Sequence, residues 1–156
     1  ISGREAPEAD PFLAALTLSD GGLTPIAQSK RLRGGSISPG GGWVAYQVTF
    51  SGDPAQDGLW VARSDGSASR KLEFFGAYRW RAEGRLLVIP LETTGGSAGS
   101  RRFVEVEVSA GEMRAITDPA LTPIHIAGGD WALSPDGARV AFVSADDHNI
   151  WVLELP

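Results

Sequence analysis

Cysteine is absent from this 156-residue chain, so disulfides and thiolate metal sites are both excluded. Methionine occurs once, at Met113, asparagine once, at Asn149, and histidine twice, at His125 and His148. Lysine is nearly as scarce, two residues against twelve arginines, which argues against a lysine-rich hyperthermophile composition and fits a GC-rich genome as well. No apolar run approaches the roughly 20 residues that a membrane-spanning helix needs. Excess positive charge is also missing. A net charge of -5 and a pI near 5.0 remove the usual electrostatic basis for sequence-independent nucleic-acid binding, and disfavour a membrane-surface role. The chain opens at Ile1 without methionine or a charged-then-apolar signal segment, and reads as a processed chain or a piece of a longer one.

What the sequence does contain is enough apolar residue for a packed core: 42% hydrophobic, with five tryptophans. Twenty glycines and ten prolines interrupt it too often for an amphipathic helix to survive. The best helix candidate, Pro11 to Leu18, ends in Ser19-Asp20-Gly21 like the strand-turn at Ser64-Asp65-Gly66, and reads as a strand. The predicted strands fall into groups. Phe12–Leu18 and Thr24–Gln28 make a pair within residues 11–28. Four follow in residues 35–74, four in 77–117, and three in 130–156, whose fourth member is expected beyond Pro156. The turn after the third strand recurs at Asp20, Asp65 and Ala110, a spacing of 45 residues each time. Repeats of this length with four strands each are the signature of propeller blades. Continuous apolar runs such as Val140-Ala-Phe-Val suit central strands covered on both faces. A β-sandwich is the alternative architecture, since short strands and frequent turns fit it too.

The segment Ser134-Pro135-Asp136-Gly137-Ala138-Arg139-Val140-Ala141-Phe142, followed by Asn149-Ile150-Trp151-Val152, resembles the repeat of TolB-type β-propellers. Ser38-Pro39-Gly40-Gly41-Gly42-Trp43-Val44-Ala45-Tyr46 keeps that frame with glycine in place of aspartate, and Trp80 to Val88 keeps the turn and the basic residue without Ser-Pro. The resemblance implies an all-β fold of four-stranded antiparallel blades, about three blades' worth, as part of a six-bladed ring. Trp60 and Trp151 are expected to fill the wedges between blades. The missing blades would come from a longer native chain or from a second copy of this one, because an open arc exposes edges and apolar faces.

Chemistry-bearing motifs are few. Asp146-Asp147-His148 reads as a solvated loop rather than a metal site, and His125 as a packed or rim residue rather than a base. No serine lies in a Gly-x-Ser-x-Gly elbow. The Gly95-to-Arg102 stretch lacks the Gly-Lys-Ser/Thr ending of a phosphate loop. Glu105 and Glu107 alternate along one strand and read as a wet face. No cofactor, metal or catalytic residue is assigned. Long loops on a rigid scaffold are where binding concentrates, and they are expected at one rim: Lys30, Arg31, Arg33, then Ser51–Asp57, Gly95–Arg102, Asp118–Gly129 and Asp146–Asn149. Lys30, Arg31, Arg33, Arg101, Arg102, Asp146, Asp147 and His148 are the candidate contacts for a protein partner.

These features point to a non-catalytic scaffold. The TolB-type resemblance implies a periplasmic or other extracytoplasmic protein contacting a peptidoglycan-associated lipoprotein, with a cytoplasmic location as the alternative. A second reading is the gating propeller of a prolyl-oligopeptidase-like serine peptidase, whose catalytic domain would lie outside the chain. A third, a sugar-binding or lyase propeller, would require a metal or clustered acids at the rim.

Overall fold

The computed structural model describes residues 1–91 and 101–156. They form two compact units, Ile1–Phe75 and Gly76–Pro156. Unit 1 begins with a three-stranded sheet of β1 (Ser2–Gly3), β2 (Phe12–Leu16) and β3 (Leu23–Gln28). A four-stranded sheet follows, made of β4 (Leu32–Ile37), β5 (Trp43–Val48), β6 (Gly58–Arg63) and β7 (Ser69–Lys71). Unit 2 has a four-stranded sheet of β8 (Gly76–Ala82), β9 (Arg85–Pro90), β10 (Val104–Glu107) and β11 (Glu112–Ala115). Its second sheet holds β12 (Ile126–Leu133), β13 (Arg139–Ser144) and β14 (Ile150–Glu154). Every sheet is an antiparallel meander in chain order. The expected opening pair gains a third strand, β1, which at two residues is too short to leave a period in the sequence.

The 45-residue register has a backbone counterpart. Gly21, Gly66 and Gly111 close the three equivalent turns at φ of 73, 74 and 77°, a region where a Cβ is costly. Asp20 and Asp65 accept the backbone N–H two residues on, at 2.8 and 2.9 Å, which explains the aspartate that recurs before glycine. The serine of Ser-Pro has its own task. Ser38 Oγ accepts the N–H of Trp43 and Ser134 Oγ that of Arg139, both at 2.9 Å, so the hydroxyl ties the turn to the start of the second strand.

Each unit has its own core. In unit 1, Leu13, Val44, Tyr46, Val48 and Ala62 pack together, with Ile26 and Trp60 against them. Tyr46 and Trp60, cross-strand partners, stack at 6.3 Å with planes 9° apart. In unit 2 the core is Leu87, Ile89, Phe103, Ile124, Trp131 and Val140, with Phe103 edge-on to Trp131 at 5.4 Å. Trp60 is thus packed as expected. Trp151 is not: it is 54% exposed, and Phe103 and Trp131 fill the space between the sheets of unit 2.

Candidate functional site: the long connections

Antiparallel meanders put alternate connections at opposite ends of their strands, so each unit has a tight-turn end and a long-connection end. In unit 1 the long end carries residues 49–57, between β5 and β6, and the entry to β4. This loop is tied down by its own polar groups. Asp57 Oδ1 accepts the Ser51 N–H at 2.9 Å, Asp53 Oδ1 that of Ala55 at 2.9 Å, and Lys71 Nζ donates to the carbonyls of Pro54 and Ala55, both at 3.0 Å. Trp60 Nε1 reaches back to the Gln56 carbonyl at 2.8 Å. The Ser51 backbone N–H and then its hydroxyl hold the Asp57 carboxyl below its ordinary value, so it stays ionised in its capping role.

Lys30 and Arg31 occupy the turn before β4, and both are exposed. Arg33 differs from expectation: it is already on β4, opposite Gln47, because β4 starts at Leu32 rather than at Gly35. The glycines at 34 and 35 mark a bulge in this pair and not the strand's beginning. Arg31 nevertheless meets the loop, accepting the Thr49 N–H at 3.2 Å through its carbonyl. Phe50 comes next, at φ 55° and 85% exposed. A left-handed backbone at a non-glycine residue costs on the order of 1–2 kcal/mol, and an exposed aromatic ring adds an unfavourable hydration term. No signal in Thr49-Phe50-Ser51 gives this away beforehand.

In unit 2 the long end gathers Arg101, Arg102, His125 and Asp146–Asn149. Arg101 is half-buried and its N–H bridges to the Ile124 carbonyl at 2.7 Å, so it is held by strand-like pairing rather than lying in an open loop. Arg102 is exposed. Residues 95–100 of the expected Gly95–Arg102 loop lie outside the described residues. The expected Asp118–Gly129 loop is shorter, since β12 begins at Ile126 and takes up Gly128 and Gly129 in a bulge at φ 59 and 79°. His125 Nδ1 lies 2.8 and 2.9 Å from the two Asp146 oxygens, joining two connections that the sequence separates by 21 residues. Asp147 accepts from the Asn149 backbone, the Asn149 amide and Trp151 Nε1; the first of these is the main reason its carboxyl is lowered to about 2. His148 is exposed in a left-handed conformation at φ 58°.

The tight-turn end of unit 2 holds a group that reading the strand pattern missed. Glu105 is buried, 8% exposed, and not on a wet face. Arg81 Nη1 binds its Oε2 at 2.8 Å and Arg114 Nη2 its Oε1 at 3.1 Å. Arg81 Nε donates to the Gly137 carbonyl at 3.0 Å, which couples the Ser-Pro-Asp-Gly turn to the neighbouring sheet. Alternation reports which face a side chain takes, not whether that face is covered.

Blades of four antiparallel strands with short turns at one end and long connections at the other define the β-propeller class, and this all-β chain carries that fold. Oligogalacturonate lyase in complex with manganese superposes with a TM-score of 0.68 at 18% identity, over 93% of this chain and 39% of that one. TolB from Acinetobacter baumannii superposes with a TM-score of 0.53 at 12% identity, over 98% of this chain and 37% of that one. The chain therefore spans less than two-fifths of the length of either structure. No family model and no curated protein matches the sequence. Among the described residues no three His, Asp or Glu converge. Among them likewise no helix is long and apolar enough to cross a membrane.

Proposed function

We propose that this chain is a non-catalytic propeller portion that binds a protein partner through its long connections. The observation that carries the reading is the state of those connections. They are stapled by capping aspartates and indole N–H groups, and they present Lys30 and Arg31 in unit 1, with Arg33 on the strand they lead into, and Arg102, Asp146 and His148 in unit 2. At the tight-turn end of unit 2, by contrast, Arg81 and Arg114 are paired with the buried Glu105. The likeness to a TolB fold fits a binding scaffold, and the TolB-type repeat adds an extracytoplasmic location and a ring completed by further blades to the proposal. A gating role in a serine peptidase is not favoured by the TolB and lyase structures named above.

Photo-crosslinking tests the reading. A photoreactive side chain is placed at Arg31, Arg102 or His148, and for comparison at Asp20, Glu83 or Asp136, and the protein is exposed to extract of its source cells. Discrete protein adducts are expected from the first three positions. Adducts confined to the second three would overturn the proposal, as would turnover of a polyuronate by the purified chain.

A further inference from the structure

We infer that Phe50, together with Lys30, Arg31 and Arg33, is a docking point for an acidic protein segment that carries an apolar side chain. The inference rests on the protein-binding reading and names the chemistry of the partner. Two independent observations converge on it. Phe50 keeps a bulky ring in water and an unfavourable backbone angle at once, and the hydrogen bonds of residues 51–57 hold the loop that imposes both. Strain that the surrounding structure over-determines is a mark of a working surface. Across the backbone pairing from Thr49, the residue before Phe50, the entry to β4 sets three cations within four residues, and among the described residues none of them pairs with a carboxylate. That cluster is uncompensated in a chain whose net charge is -5.

The acids nearby do not cancel the cluster outwardly. Asp53 and Asp57 aim their carboxylates at the loop's own N–H groups, and Lys71 is spent on two carbonyls of the same loop. The β4–β5 pairing brings the two parts together: Leu32 faces Val48, and the Arg31 carbonyl takes the Thr49 N–H, one residue before Phe50. An aromatic ring that a partner would desolvate, on the same end of the sheet as arginines, is the composition of an interface hot spot. A nucleic acid would also satisfy cations and a ring, but the chain's net negative charge opposes a polyanionic backbone of that length. A short acidic peptide meets only the local field, and its apolar side chain covers Phe50.

Fluorescence anisotropy with the intact chain tests this. The probe is a short labelled peptide of Glu with interspersed Leu, against an all-Glu peptide, a Lys/Leu peptide and an unlabelled galacturonate oligomer as competitor. The Glu/Leu peptide is expected to bind at low salt and to weaken steeply as salt rises. Arg31→Glu with Arg33→Glu should weaken it at least about tenfold, and Phe50→Ser about tenfold, while the Lys/Leu peptide does not bind. Absence of Glu/Leu binding overturns the inference; so does indifference to Phe50→Ser, or displacement by galacturonate at lower concentration than by peptide. A thermal melt of Phe50→Gly gives the second readout. Relief of the left-handed strain should raise the midpoint by roughly 2–4 °C, and a fall would show the ring to be a structural plug. Loss of peptide binding while Arg102 and His148 still crosslink to protein would remove this docking point and leave the broader proposal standing.

Discussion

The two units close the same kind of inter-sheet junction with different chemistry. In unit 1 the first sheet meets the second through Leu13, Val44, Tyr46, Val48 and Ala62, and the tight-turn end opens as an apolar groove of about 450 Å³ lined by Leu16, Leu18 and Ile37. In unit 2 the equivalent space is filled by Phe103, Trp131 and Leu87, and its tight-turn end is occupied by Glu105 with its arginines. One device is common to both. Gly66 and Gly137 press their turns so closely on the adjacent sheet that an added Cβ would lie 2.7 Å from the Pro25 carbonyl oxygen in one case and 2.5 Å from that of Arg81 in the other. The two glycines belong to different turns of the repeat, and an added Cβ at their counterparts Gly21 and Gly41 would meet no atom closer than 4.0 Å, so each unit makes its close approach at its own position. Apolar filler tolerates sliding, whereas the Arg81 fork admits a single position of the Gly137 carbonyl.

The largest effect should come from emptying the aromatic junction. Phe103→Ala is expected to cost about 3–5 kcal/mol, and Leu13→Ala in unit 1 a lesser share of the same range, read from urea unfolding. Equal costs would erase the difference in packing. Next comes the ionic lock. Glu105→Gln leaves Arg81 half-buried without its carboxylate and should cost about 3 kcal/mol, while Arg81→Met with Glu105→Leu should recover much of that loss. If the double variant is no better than the single, the cluster contributes net stability and not merely position. The two tryptophans at the same repeat position sharpen the comparison further. Trp60→Ala should destabilise by about 3 kcal/mol and Trp151→Ala by about 1 kcal/mol, because only Trp60 packs into a core.

The smallest effect concerns pH. Asp147 has a carboxyl lowered from 3.8 to about 2, so its contribution is complete above the ordinary value and is lost as pH falls from 3.8 through about 2. The fluorescence difference between the protein and its Trp151→Phe variant should titrate in that window, and Asp147→Asn should abolish the transition. A midpoint near the ordinary carboxylate value would mean that the Asn149 and Trp151 hydrogen bonds do not form in solution.

Strand grouping and turn register were legible because period, proline and glycine are local signals. Asp20, Asp65 and the Ser-Pro turns act on groups two to five residues away. The Arg81–Glu105 pair was not legible, since it joins residues 24 apart whose alternation also suits a solvated face. Trp151 differs from Trp60 for a related reason. A repeat position predicts the direction of a side chain, but its burial depends on the neighbour that covers it. Arg33 and Ile126 read as loop residues in the sequence because glycines at 34, 35, 128 and 129 resemble strand ends when they are bulges inside strands. At the proposed site, the cations could be found from the sequence, while Phe50 needed a dihedral angle.

The indole staples carry a consequence for how such a surface changes over time. Trp60 grips the carbonyl of Gln56, and a carbonyl is supplied by any amino acid at that position. Trp151 instead grips the carboxylate of Asp147, which a neutral replacement would surrender. The first connection can thus accept new side chains at the gripped position and keep its shape, whereas the second is bound to one residue's identity. New partners are more easily acquired through residues 49–57 than through residues 145–149.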